Sequence, residues 1–280
     1  MARFAVVTDS TADIPPALAA ERGIDVVPLV VTIGGETFTD GDLTQEQFFQ
    51  RMNAAPELPT TSQPSVGAFV EAYERALARA EEVIAVTISS KLSGTYQSAA
   101  QAAEQFAGKV HVFDSFNLSW GLAWQVLDAA SSAAADLESA AALARLERLR
   151  ERVRILVLLD SLENLAKGGR IGRVSAFLGG MLNLKVSLTV DSDGSFTPVA
   201  RSRGDKAASK HILDWVAEHM GKARSGHFAV MHAMAEERAY VLRQALEERY
   251  EALEMFVVPT GSVIASHTGT GIAVAYVPAE

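Results

Sequence analysis

The sequence predicts an α/β protein of two α/β domains, an N-terminal doubly wound parallel sheet followed by a C-terminal mixed sheet with helices. Three observations carry this. The chain has 280 residues, too many for one typical core and few for three. In its first half, short apolar runs alternate with segments of helical period, the pattern of a parallel sheet with crossover helices. In its second half, Asp191-Ser192-Asp193-Gly194 stands between two apolar runs and marks a hairpin.

The elements follow in order. Residues 4–8 are an apolar run ending in Asp9-Ser10-Thr11, a buried strand that feeds a polar loop. Pro15 and Pro16 stand where a first helical turn begins, where a missing N–H costs little. A second strand is expected over 25–31, then a turn at Gly34-Gly35 and a polar loop around Asp40-Gly41. Thr44 caps the next helix, with Gln47 placed to complete a capping box. A helix over 66–80, a strand over 82–88, a helix from Ser93 to 106 and a strand over 110–113 come next. Two Ala- and Leu-rich helices, 119–135 and 137–150, end the first domain; in the second, Leu143, Leu146 and Leu149 recur at helical spacing. The boundary falls near Arg152, giving domains 1–152 and 153–280.

The second domain opens with a strand over 153–159 and a Gly-rich basic segment over 167–173. A helix is expected over 174–182, then hairpin strands over 185–190 and 196–201. A helix (205–220), a strand (227–232), a helix (236–250) and a strand (255–258) follow. Residues 261–271 read as a Gly-rich loop before a last strand over 272–277.

Composition narrows the function. The hydrophobic share is 49% and the charged share 21%, enough to bury a large core. Net charge is −9, which argues against a general nucleic-acid role, since such binding draws on Lys and Arg at phosphates. The charge is uneven: from Asp160 to Lys210 eight basic and five acidic residues leave a local +3, against −12 elsewhere. The absence of cysteine excludes disulfide and thiolate chemistry and fits a reducing cytoplasm. No apolar run approaches membrane-spanning length, so stable membrane insertion is not expected.

Five polar loops follow strand ends or open helices, where ligands collect in open α/β sheets. They are Thr8-Asp9-Ser10-Thr11, residues 60–65 (TTSQPS), residues 89–95 (SSKLSGT), Asp114-Ser115, and residues 266–271 (SHTGTG). Ser93-Gly94-Thr95 is the sharpest, because a helix start offers free N–H groups and partial positive charge to a carboxylate or phosphate. The plain alternative is that Ser93 is only an N-cap. His267 sits among glycines that let backbone approach a ligand, although a lone His is commonly structural. No metal site is expected, since none of the six histidines pairs at zinc-protease spacing. Lys167-Gly168-Gly169-Arg170-Ile171-Gly172 lacks the ending of a phosphate loop. Two other readings stay open: a serine hydrolase using Ser93, His267 and Asp9 or Asp114, although Ser93 lacks the Gly-x-Ser-x-Gly elbow, and a phosphate- or nucleotide-binding module.

Taken together and in order, TDSTADIP (8–15), TTSQPS (60–65), SSKLSGTYQSA (89–99), KGGRIGR (167–173) and GSVIASHTG (261–269) resemble the DegV family, the fatty-acid-binding subunits of bacterial fatty acid kinase. The resemblance spans nearly the whole chain. It implies a fatty acid bound between the two domains, its carboxylate meeting Thr61, Ser93, His267 and Thr268, with Ser62, Gly94 and Thr95 in the same loops. It implies an apolar tunnel for the tail; at about 0.8 kcal/mol per methylene, a sixteen-carbon chain gains on the order of 10 kcal/mol before ordering costs. It further implies no catalysis by this chain and no cofactor of its own. ATP-dependent phosphorylation of the carboxylate, a step toward phospholipid synthesis, falls to a separate kinase subunit. The basic stretch, with Arg170, Arg173, Arg201 and Arg203, is the expected docking surface for that subunit. Val186 and Thr270 depart from the family pattern, where proline is common, and bear on loop rigidity and acyl-chain preference.

Overall fold

The structure, a computed structural model, describes residues 1–177 and 184–279. The first half runs β1 (Ala2–Asp9), α1 (Pro16–Glu21), β2 (Ile24–Val27), β3 (Val30–Ile33), β4 (Glu36–Thr39), α2 (Gln45–Ala54), β5 (Thr60–Ser62), α3 (Val66–Leu77), β6 (Ala80–Thr87), α4 (Thr95–Ala103), β7 (Val110–Asp114), α5 (Ser119–Ala134) and α6 (Ser139–Arg150). The second runs β8 (Arg154–Leu159), α7 (Glu163–Lys167), β9 (Leu184–Val190), β10 (Phe196–Arg203), α8 (Asp205–Met220), β11 (Ser225–Ala233), α9 (Glu236–Glu247), β12 (Glu251–Pro259), α10 (Ser262–Thr268) and β13 (Gly271–Pro278). Among the described residues no helix is long and apolar enough to cross a membrane.

The four-stranded sheet has the order β2-β1-β6-β7 and is parallel throughout. Val83, Ile84, Ala85 and Val86 in β6 are all fully buried, as expected of a strand covered on both faces. The six-stranded sheet has the order β10-β9-β8-β13-β11-β12. It is mixed, because β11 and β12 are parallel while the other neighbours are antiparallel. The α/β class and the contrast between the two sheets are therefore as the sequence predicts. Thr44 and Gln47 form the capping box in full.

Helix α5 lies between the sheets. It packs on β1 and on β13, and most of its residues are buried, the mark of a helix apolar all round. Trp120 and Trp124 stack edge-on at 5.1 Å, and Trp120 lies 4.5 Å from Phe256 of β12. One apolar cluster joins Phe4 and Ile84 of the parallel sheet to Ile155 and Ala275 of the mixed sheet through Trp120, Leu122 and Ala123. The strands change sheet between β7 and β8, but the core is continuous across that change.

Several local expectations give way to non-local pairing. The strand expected over 25–31 is two strands in different sheets. Pro28 breaks it, having no N–H to donate, and β3 turns away to pair antiparallel with β4 and β5. Residues 60–62, read as loop, are the edge strand β5, held by register with β3 such as Val31 opposite Thr61. The helix expected from Ser93 begins at Thr95 and becomes a 3-10 turn at Glu104–Phe106. Within 261–271, read as loop, lies α10. Of the helix expected over 174–182, the start belongs to a 3-10 turn, Gly172–Phe177, and 178–182 lie outside the described residues.

Because Trp120 is fully buried where the two sheets meet, Trp120→Ala should destabilise the protein by about 3–5 kcal/mol. Urea unfolding followed by circular dichroism checks this; a loss under about 1 kcal/mol would mean the shared core matters less than its burial indicates.

Candidate functional site

Five of the predicted residues, Thr61, Ser62, Ser93, His267 and Thr268, line one cavity of about 290 Å³. They arrive from three elements: the edge strand β5, the loop after β6, and the last turn of α10. Leu29, Ile88, Leu118 and Ile264 supply apolar wall. A narrower crevice of about 30 Å³ shares Leu118, Ile264 and Thr268 with the cavity. It continues along the inner face of the mixed sheet past Ile155, Val157, Leu159, Met231 and Ala273. The arrangement is a polar mouth with an apolar extension.

At the mouth, Thr61 Oγ1 and His267 Nε2 share a hydrogen bond of 2.7 Å. Burial pushes the imidazole down to about 4, and the neighbouring Arg170 guanidinium pushes the same way. His267 is therefore neutral at ordinary pH. Its Nδ1 is buried without a partner and faces Gly168, where an added Cβ would come within 2.5 Å of it. That close approach explains a glycine in the KGGRIGR segment.

Ser93 Oγ lies 2.8 Å from Thr95 Oγ1 and accepts from the Thr95 N–H at 3.3 Å. Ser93 is thus not the N-cap of α4; Gly94 is, with no side-chain cap. The reason is the tight turn before it, in which the Leu92 and Ser93 N–H groups both donate to Ser89 O. Gly94 and Thr95 do not line the cavity. A Cβ at 94 would collide with the Gln63 side chain, and the buried Thr95 fixes the Ser93 hydroxyl from behind. Gln63 in turn donates to Ser98 Oγ at 2.9 Å, tying the two loops together. Thr268 is buried, with its hydroxyl donating to Ile264 O at 3.0 Å.

Arg170 is placed differently from the other arginines. It lines the cavity, with Nη1 donating to Gly168 O at 2.8 Å and Nε to Leu92 O at 3.4 Å. Arg173 is exposed and pairs with Asp191 at 3.1 Å and Asp193 at 2.5 Å, bracing the hairpin turn. Arg201 and Arg203 are exposed on the edge strand β10. Val186 is buried in β9, while the Thr270 hydroxyl donates to Asp160 Oδ2 at 3.1 Å, a bond proline could not make.

Three carboxylates lie behind the cavity, of which only Asp9 is singled out by sequence, as a hydrolase partner, and none as part of a head-group site. Asp9 is fully buried and accepts from the Thr11 hydroxyl, the Thr11 N–H at 3.0 Å and the Ile88 N–H at 2.8 Å. Asp13 accepts from the Gly261 N–H at 2.9 Å and Asp40 from the Val263 N–H at 3.3 Å. Both bonds reach the start of α10 from the far end of the chain. Asp9 and Asp13 lie in the TDSTADIP run, but nothing local says where their side chains point.

This geometry does not assemble a hydrolase. Ser93 is bonded to Thr95, His267 to Thr61, Asp9 to Thr11 and Ile88, and Asp114 to the N–H groups of Ser90 and Phe116. Among the described residues no group of three or more His, Asp or Glu side chains is arranged to hold a metal.

Comparison with known proteins bears on the same site. A sequence model of the DegV family matches residues 3–279. The chain belongs to the DegV family. Its relatives include a DegV domain-containing protein of Listeria monocytogenes, 34% identical over 97% of each chain. Another, from Deinococcus radiodurans, is 37% identical over 96% of this chain and 95% of its own. Among solved structures, a DegV family protein from Thermus thermophilus described by its fatty acid binding superimposes with a TM-score of 0.94 at 38% identity, covering 99% of this chain and 100% of its own. DegV from Bacillus subtilis, described as a fatty acid binding protein, does so with a TM-score of 0.88 at 30% identity over the full length of both chains. A Ruminococcus gnavus member, solved with vaccenic acid, gives 0.88 at 28% identity, covering 98% of this chain and 99% of its own.

The depressed His267 fixes a pH dependence. The unfolded chain takes up a proton near the ordinary histidine value, while the folded chain resists until about pH 4. Stability from this group is therefore present above pH 6.5 and falls as pH drops toward 4, by about 3 kcal/mol in total. Relative to His267→Gln, the parent should lose thermal stability across that window, and histidine NMR should show His267 neutral at pH 6. A normal titration near 6.5 would contradict the burial.

Proposed function

We propose that this DegV family member binds a long-chain fatty acid, with the carboxylate at Thr61, Ser93 and His267 and the tail in the apolar crevice beyond Leu118 and Ile264. The observation that carries the reading is the lining of the cavity, which sets hydroxyl, imidazole and guanidinium groups beside aliphatic side chains; the adjoining aliphatic crevice, at about 30 Å³, has to widen to take an acyl tail. A neutral imidazole suits the role. With its Nε2–H donating to Thr61 Oγ1, the threonine hydroxyl is free to donate to a carboxylate, and the buried Nδ1 remains a bare acceptor that needs no proton. Ser93, oriented by Thr95, supplies a second hydroxyl. Arg170 adds positive charge on the same wall. The polar groups orient the ligand and the tail supplies affinity.

On this reading the chain catalyses nothing alone. It acts in the cytoplasm and presents the carboxylate to a separate fatty acid kinase subunit, which forms the acyl phosphate. The support is the resemblance of its motifs and the exposed basic residues Arg173, Arg201 and Arg203, a charge pattern suited to steering an acidic partner. Arg170 serves both surfaces, lining the cavity while standing exposed at its edge.

Denaturing extraction of the purified protein followed by mass spectrometry should yield near-stoichiometric fatty acid. Recovery of nucleotides alone, or of no lipid after gentle purification, would reject the reading. Thr61→Ala, Ser93→Ala and His267→Ala should each weaken fatty-acid binding by roughly 1–3 kcal/mol, with thermal unfolding of the ligand-free forms as the control; three variants that bind like the parent would show the head group lies elsewhere. For docking, Arg203→Glu should abolish acyl-phosphate formation in a reconstituted assay while fatty-acid binding and melting temperature persist; Arg173→Glu should lower turnover too, but with some loss of melting temperature, because Arg173 pairs with Asp191 and Asp193. Unchanged turnover in both would remove the docking role.

A further inference from the structure

The wall behind the head-group cavity contains three carboxylates on neighbouring turns of the first half: Asp9 at the end of β1, Asp13 after the 3-10 turn, and Asp40 after β4. Two of them reach across to α10. Asp13 Oδ1 accepts from the Gly261 N–H at 2.9 Å, and Asp40 Oδ1 accepts from the Val263 N–H at 3.3 Å. Their other oxygens are also fixed, Asp13 Oδ2 by the Ser119 hydroxyl at 2.5 Å and Asp40 Oδ2 by the Ser10 hydroxyl at 2.8 Å. The Asp13 backbone is left-handed, with φ 54°, and its carbonyl accepts from Trp120 Nε1 at 3.2 Å. The approach is tight: a Cβ on Gly261 would lie 2.8 Å from Asp13 Oδ1 and 3.3 Å from Asp40 Oδ1.

Helix α10 has only seven residues, too few to hold its own direction in water. Its first N–H groups point at these carboxylates, and its last turn carries His267 and Thr268 into the cavity. We propose that Asp13 and Asp40 are positioning residues of the head-group site, fixing through α10 the place of His267, which orients the Thr61 hydroxyl toward the bound carboxylate. The inference rests on the fatty-acid reading of the cavity.

The arrangement also couples binding to protons. Burial, then mutual repulsion within the cluster, holds Asp13 up to about 7 and Asp9 up to about 6, with Asp40 raised for the same first reason. The two histidines near the cluster and cavity are held neutral by burial: His267 is neutral above about pH 4, and burial lowers the pKa of His232, behind Thr260; Arg170 lines the cavity. A carboxylate entering the cavity sits beside Thr11, whose hydroxyl Asp9 holds. The added negative charge favours the protonated cluster, so affinity falls as pH rises from 6 to 8, approaching tenfold per pH unit where a full proton is taken up.

The test is the affinity for hexadecanoic acid, by displacement of a fluorescent fatty-acid analogue, at pH 6, 7 and 8. The acid's own ionisation is common to all proteins compared. Asp13→Asn and Asp40→Asn keep an acceptor oxygen for α10 but lose the charge; each should bind like the parent at pH 6 and show a flatter pH profile. Asp13→Ala and Gly261→Ala break the contact itself and should weaken binding at least tenfold at every pH, with Ser93 and Thr61 intact. If Asp13→Asn does not fold, Asp40→Asn carries the same readout. Asn variants with the parent's pH profile, or Ala variants that bind like the parent, would overturn the inference and leave the fatty-acid reading standing. A parent protein that binds no fatty acid at any pH would overturn both.

Discussion

The bonds from the first N–H groups of α10 to Asp13 and Asp40 fix where α10, and the cavity at its last turn, lie against the first half. They join residues 248 and 223 positions apart in the chain, and they bring a helix of the second half onto loops of the first. A helix start needs acceptors, and α10 finds them in another part of the chain rather than in its own N-cap, since Gly261 has no side chain to offer. Helix α5 fills the space between the sheets and holds the same two halves together by apolar contact. The capping bonds set direction, and the apolar core supplies most of the cohesion.

Around that joint the cavity divides its chemistry. Hydroxyl groups at Thr61 and Ser93 are each oriented by a second polar group, His267 or Thr95. Burial keeps His267 uncharged, which makes it a hydrogen-bonding partner rather than a counter-ion. The guanidinium on the same wall is that of Arg170. Beyond Leu118 and Ile264 the wall turns aliphatic.

The basic stretch is not uniform. Arg173 is spent on the hairpin turn through Asp191 and Asp193, Arg170 on the cavity edge, and Arg201 and Arg203 lie along an edge strand. A count of charges treats these as one patch, whereas their neighbours give them different work. Similarly, Thr270 donates to Asp160, which also accepts from Lys185 and Arg238, a polar tie at the loop that follows α10.

The sequence by itself determined the fold class, the parallel and mixed sheets, the capping box at Thr44 and Gln47, and the polar segments that contain Thr61, Ser93 and His267. Each of these is written in local pattern: apolar runs, helical spacing, turn residues and clustered hydroxyls. Only the tertiary structure decided that β5 is a strand, that residues 262–268 are helical, that Gln63 packs on Gly94, that Arg170 belongs to the cavity wall, and that Asp9, Asp13 and Asp40 meet behind it. The reason is length. Three residues of strand and seven of helix have too little pattern to read and too little intrinsic stability to form alone; they exist because distant groups complete their hydrogen bonds, and those partners are set by how the two sheets close on α5.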